Sequence, residues 1–189
     1  MHLGRFAAGS FPGIRARYAS AAHKKGSAQM NIIGRLLSSD DVVVGLDVPN
    51  KLRALQEVAA ILERRHNVSQ APVLRALLRR EQSGSTGLGH GIAVPHARIA
   101  DISEPIVLFV RTRSAIDFRA ADHEPVSFLF VILVPEHANE EHLKILATVS
   151  EMFSSKTFRD RLEAIVEPAA IQRLFSEWTT SGDSSQQTR

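Results

Sequence analysis

The run Val126-Ser127-Phe128-Leu129-Phe130-Val131-Ile132-Leu133-Val134 decides the fold class. It is far short of the roughly 20 apolar residues that cross a bilayer, and it lacks the apolar–polar alternation of a strand with one wet face. It therefore reads as a strand covered on both sides. Ile106 to Val110 reads the same way, and Val42-Val43-Val44 and Ile92-Ala93-Val94 supply shorter strands, the latter stopped by Pro95. Helical patterns fill the intervals. Asn50 stands as an N-cap before Lys51–His66, where Leu52, Leu55, Val58, Ala59 and Leu62 recur at helical spacing. Ser69 stands before a second helix that carries Val73, Leu74, Leu77 and Leu78 to about Gln82. Asn139 opens a third helix to about Phe153, followed by helices near 156–166 and 168–178, the last with Pro168 in its first turn. Strands covered by helices on both faces make an α/β sandwich, expected here as a single domain.

The chain's 189 residues suffice for one such domain. Of the 23 Lys and Arg, five fall in residues 1–29, which hold no acidic residue; the other 18 face 20 Asp and Glu. A folded part with that balance lacks the clustered cations that neutralise nucleic-acid phosphates. The absence of cysteine removes disulfides, thiolate nucleophiles and Cys-bound zinc together, and it suits a reducing, cytoplasmic setting. No apolar stretch is long enough for a membrane helix. Residues 1–29 show no periodicity and are read as a disordered extension or an over-long start upstream of the domain, 30–178 as the domain, and 179–189 as a polar, flexible tail.

The chemistry is concentrated between Arg80 and His96. Gly84, Gly87, Gly89 and Gly91 crowd into eight residues, so the backbone there can approach a ligand closely. With Ser85, Thr86 and successive N–H groups, the loop can cradle an oxyanion such as phosphate. It is neither a P-loop, since no Gly-Lys-Ser/Thr follows, nor a dinucleotide fingerprint, since its glycines precede a strand. Pro95 fixes its own φ and extends Val94, which delivers His96 rigidly at a strand end. A second imidazole, His142, falls in the first turn of the helix after Asn139, on the stripe of Leu146, Val149 and Phe153. A neutral imidazole is nucleophilic near pH 7, and Arg80 can hold the equatorial oxygens of a transferring phosphoryl group. Arg79 reads as a solvated helix-end charge.

The run Arg80-Glu81, Gly84-Ser85-Thr86-Gly87 and Gly91-Ile92-Ala93-Val94-Pro95-His96 resembles the enzyme IIA domain of the bacterial phosphotransferase system, mannitol/fructose type. So do Leu133-Val134-Pro135 with Glu141-His142-Leu143-Lys144-Ile145-Leu146, and Phe118, Asp122 and Pro125-Val126. The Gly-Ser-Thr-Gly wording resembles the nitrogen-regulatory branch most. The resemblance implies a mixed β-sheet flanked by helices. It implies His96 as phosphoryl acceptor from an HPr-type histidine phosphocarrier, His142 as a second active-site histidine, and Arg80 as the phosphate-steadying arginine, with no metal or organic cofactor. In the regulatory branch the phosphorylation state controls binding to other proteins, including potassium-transport and sensor components. His90 is a departure, standing where that branch often has Asn. Two other readings remain open on the sequence: a sugar-specific IIA component passing phosphate to a IIB domain, and a hydrolase or binding protein with zinc held by His90, His96 and His142. No tight metal-ligand spacing supports the second.

Overall fold

The structure is a computed structural model describing residues 31–137 and 140–179, with the backbone alone at 140–142. The expected extension 1–29, the cap Asn139 and the tail from residue 180 lie outside the described residues. The described chain folds as α1 (Ile32–Leu36), a 3-10 turn (Ser39–Asp41), β1 (Val42–Leu46), α2 (Lys51–His66), α3 (Gln70–Gln82), β2 (Gly87–Gly89), β3 (Ile92–Ala93), β4 (His96–Ile99), β5 (Ile106–Ile116), β6 (Val126–Pro135), α4 (Glu140–Ser154), α5 (Lys156–Ala164) and α6 (Pro168–Ser176). No described helix is long and apolar enough to cross a membrane.

The sheet is mixed, in the order β1-β5-β6-β3-β2, with β4 also on β6. Strand β6 pairs antiparallel with β5 and parallel with both β3 and β4. Ile92 lies opposite Phe128 and His96 opposite Ile132, the same offset, so β3 and β4 are two pieces of one strand running in register along β6. Pro95 interrupts the ladder for one step because it has no N–H, while its carbonyl still accepts from Ile132 N at 3.0 Å. The strand that Pro95 was expected to stop thus resumes at His96.

Alternation along the strands divides the core into two layers. On one side Leu108, Val110, Leu129, Val131 and Leu133 meet Leu55, Val58 and Leu62 of α2 and Val73 and Leu77 of α3. On the other, Phe109, Phe128, Phe130 and Ile132 meet α1, α4, α5 and α6. The two-sided covering expected of Val126–Val134 is therefore real, and it is why the strand carries no wet face. One of the two caps expected from the sequence at Asn50 and Ser69 forms: the Asn50 side chain accepts from Arg53 N at 3.0 Å. Ser69 precedes α3 without a side-chain cap bond, and Glu63 of α2 instead accepts from Gln70 N at 3.0 Å.

Two anchors tie the ends of the domain to its body. The Asn31 amide caps α1 through Gly34 N and donates to the carbonyls of Phe175, Ser176 and Trp178. Buried Asp41 accepts from Ser38 and pairs with His66, fastening the 3-10 turn to the end of α2. On the second face, Phe175 lies 5.2–5.3 Å from the rings of Phe109, Phe130 and Phe158. Those aromatic contacts add to its complete burial. Replacing Phe175 with Ala should destabilise the fold by about 3–5 kcal/mol in a denaturant titration; a loss below about 1 kcal/mol would mean that α6 is not fastened through this ring.

Candidate functional site

Position 96 is set by the β6 register, and Val94 and Arg80 are among the partners that orient its ring. Nδ1 lies 2.8 Å from the carbonyl oxygen of Val94. That oxygen only accepts, so Nδ1 carries the proton. On the opposite edge, Arg80 Nε donates to Nε2 at 3.0 Å. A guanidinium only donates, so Nε2 presents a lone pair. The two contacts together select the neutral tautomer protonated at Nδ1, with Nε2 as the nucleophilic nitrogen. Burial of the half-covered ring depresses the His96 pKa, and the Arg80 charge pushes it the same way. The Val94 carbonyl and the Glu81 carboxylate oppose them without overcoming them, so the pKa lies below 6.5.

Arg80 reaches the ring from the last turn of α3, and its other edge donates to Gly84 O at 2.9 Å. The guanidinium is thereby held between helix end and loop, half-buried, whereas Arg79 is exposed, as the sequence led us to expect. Alternation along 92–99 places His96 on the face of Ile92 and Val94, which α4 covers, while Arg80 comes from the α3 layer. The site therefore sits at the sheet's edge, where the two layers meet. His142 belongs to the first turn of α4; its side chain lies outside the described residues.

The Gly-rich loop is a hairpin more than a loose cradle. Strand β2 pairs antiparallel with β3, and Val94 N donates to Thr86 O at 2.9 Å. Gly87 passes so close to Ala120 that a Cβ there would lie 2.6 Å from the Ala120 side chain. Gly89 adopts φ +90°, with Asp122 Oδ2 2.8 Å from where a Cβ would stand.

The groups expected to cradle phosphate are engaged within the protein. Ser85 Oγ donates to Phe118 O at 2.8 Å and accepts from Gly87 N at 3.1 Å. Thr86, buried, gives both its N–H (3.1 Å) and its hydroxyl (2.6 Å) to Glu81 Oε2. Ser85, Thr86 and Gly87 thus shape the loop through these atoms.

His90 does not line up beside His96. Its backbone is left-handed (φ 54°), which explains why Asn suits the position, and its N–H donates to Asp122 Oδ2 at 2.7 Å. Asp122, which also accepts from Glu124 N, is held below the usual carboxylate pKa by those two backbone bonds, with that from His90 the stronger. The His90 side chain helps line a cleft of about 290 Å³ with Gly91, Arg111, Ser127, Phe128 and Arg159. Among the described residues no three His, Asp or Glu side chains gather as a metal ion requires. The Nε2 of His96 also faces a cation, which opposes metal ligation at that nitrogen.

The sequence pattern assigns no role to Glu81, although it stands in a motif, and none to Lys51. The signal for Glu81 was present: an acid four residues after Leu77, continuing the stripe Val73–Leu77 that faces the core. Its partner Lys51 is 30 residues away, so no local spacing shows the pair.

Residues 35–178 match the family described as the phosphoenolpyruvate-dependent sugar phosphotransferase system, EIIA 2. A nitrogen regulatory protein of Pseudomonas aeruginosa is 35% identical over 141 residues, covering 74% of this chain and 92% of that protein. The fructose-specific EIIA component of Haloferax volcanii is 39% identical over 104 residues, 55% of this chain and 68% of that one. The crystal structure of the nitrogen regulatory protein IIA-Ntr from Neisseria meningitidis superposes with a TM-score of 0.73 at 37% identity, covering 77% of this chain and 99% of that chain. The family match over 35–178, the relatives' identity and the shared fold agree: this chain belongs to the EIIA type 2 family of the phosphotransferase system.

Proposed function

We propose that the chain is a phosphoryl-accepting regulatory protein of the nitrogen phosphotransferase branch, phosphorylated on His96 by an HPr-type phosphocarrier and acting in the cytoplasm through its phosphorylation state. The observation that carries this reading is the ring of His96, with Nδ1 hydrogen-bonded to Val94 O and Nε2 turned to Arg80. In the transfer, the Nε2 lone pair attacks the phosphorus of the carrier's phosphohistidine. The carrier's P–N bond breaks, and its electron pair returns to the carrier's imidazole. No proton need move, because His96 keeps its Nδ1 proton throughout. Arg80 releases Nε2 and takes up the phosphoryl oxygens, whose charge it is placed to meet. His142 acts as the second imidazole of the site. Relatives named nitrogen regulatory proteins, matched over nearly their whole length, favour a regulatory role; potassium-transport and sensor components are the class of target that the family resemblance suggests. The similarity to a fructose-specific EIIA component keeps a sugar-transport role as the second reading; transfer onward to a fructose-type IIB domain would support it.

Incubation with enzyme I, an HPr-type carrier and phosphoenolpyruvate should add one acid-labile phosphoryl group to the wild type and none to His96→Ala, read by intact mass. Labelling of the variant would place the acceptor elsewhere. Arg80→Ala should still accept the group, slower by about 100-fold, the usual cost of removing one oxyanion-stabilising donor; an unchanged rate would remove Arg80 from the site.

The pH dependence follows from the sign of the His96 shift. The neutral ring is the nucleophile, so the single-turnover rate should rise with pH and level off above a midpoint below 6.5. A midpoint above 6.5 would contradict the arrangement.

A further inference from the structure

The carboxylate of Glu81 has a side chain only 6% exposed, and it stands next in sequence to Arg80. Its Oε1 accepts from Lys51 Nζ at 2.9 Å, and its Oε2 accepts both the N–H and the hydroxyl of Thr86. Lys51, the first residue of α2, also donates to Phe118 O at 3.1 Å, the same carbonyl that takes Ser85 Oγ, and lies 5.3 Å from the Phe118 ring centroid. One carboxylate and one carbonyl therefore join four segments: the start of α2, the end of α3, the glycine hairpin and the connection between β5 and β6.

Resting on the phosphoryl-transfer reading above, we propose that the pair of buried Glu81 with partly exposed Lys51 is a positioning element of the transfer site, with Glu81 acting through Arg80, the hairpin and the charge state of His96. Two physical effects support the role. Geometrically, Arg80 can meet both Nε2 and Gly84 O only if the last turn of α3 keeps its rotation relative to the hairpin. Glu81 fastens that turn to Thr86, two residues beyond Gly84. Electrostatically, donation of the Nε2 lone pair to phosphorus, with Nδ1 still protonated, leaves the imidazole positively charged. A nearby fixed carboxylate favours that charged ring over the neutral one, and the Val94 carbonyl does the same from the Nδ1 side. Arg80 has the opposite effect on the ring until the phosphoryl oxygens arrive to take it. Glu81 is the acidic counterweight on α3. The strand's own Arg98 donates to Glu136 O, and the side chains of Glu140, Glu141 and His142 on α4 lie outside the described residues.

The test compares wild type, Glu81→Gln and the neutral pair Lys51→Met/Glu81→Gln in single-turnover transfer at saturating phosphorylated carrier, across pH, beside their thermal unfolding. Glu81→Gln should transfer at least about 10-fold more slowly, since misplacement at a transfer site is costly. Its pH–rate midpoint should fall, because the carboxylate that favours the protonated ring is gone, while the concentration of carrier at half-saturation stays near the wild-type value. The neutral pair should recover most of the wild-type melting temperature, having no unpaired buried charge, yet keep the slow rate and lowered midpoint. A neutral pair that regains the wild-type rate would overturn the proposal, leaving a contribution to stability alone. So would a Glu81→Gln variant with unchanged rate and midpoint. If the wild type itself accepts nothing from any carrier, the phosphoryl-transfer reading fails separately. In that case the His96 ring, titrated by 15N chemical shift, decides this proposal: a lower midpoint in Glu81→Gln upholds the electrostatic coupling, and an unmoved one overturns it.

Discussion

Strands β3 and β4 hold one register along β6 across the break at Pro95, and the rest of the site hangs from that constraint. A proline in the middle of a ladder removes a donor, and elsewhere it would end the strand. Here Ile132 N still finds the Pro95 carbonyl, and the neighbouring Val94 N turns to the hairpin at Thr86 O. The Val94 carbonyl is left within reach of the imidazole two residues on. Pairing with a buried central strand, the outward turn of one peptide and the choice of ring tautomer are thus consequences of a single local sequence, Ala93-Val94-Pro95-His96.

Around that fixed ring the charges oppose one another. Burial and Arg80 keep the imidazole neutral at physiological pH, which is what a nitrogen nucleophile needs. The Val94 carbonyl and Glu81 pull toward the cation, which the ring would become in the proposed transfer. A site with only the first pair of influences would hold its lone pair ready and resist giving it. One with only the second would be protonated and unreactive. The balance of these influences lowers the His96 pKa, and Glu81 is itself paired with Lys51. Serine and threonine in the hairpin serve this rigidity through Phe118 O and Glu81, so the hairpin's polar side chains contribute to placing the site before any ligand arrives.

The elements with strong periodicity were legible in the sequence. Helix α2 begins and ends where Asn50 and the last periodic residues place it, and the nine-residue apolar run is the central strand. Short elements were not: β2 is three residues with two glycines, and β4 is four residues beginning at the histidine, too few for a period to declare itself. Strand β5 runs past Val110 to Ile116 because its polar residues are accommodated by pairing: Arg111 lies 5.5 Å from the Phe128 ring centroid and the Thr112 hydroxyl reaches Ser127 O. Sequence patterns count such residues as solvent-facing and end the strand early. At the site, His96 and Arg80 were recognisable because proline rigidity and charge are written locally. The work of Ser85 and Thr86 was not, because their partners, Phe118 and Glu81, are set by the tertiary fold.

We propose Nε2 of His96 as the reacting atom. After phosphorylation of protein labelled with 15N at its histidine rings, long-range 1H–15N correlation identifies which nitrogen is coupled to 31P. Coupling is expected at Nε2 of His96, with Nδ1 retaining its proton toward Val94. Coupling at Nδ1 of that ring, or at any other histidine, would contradict it.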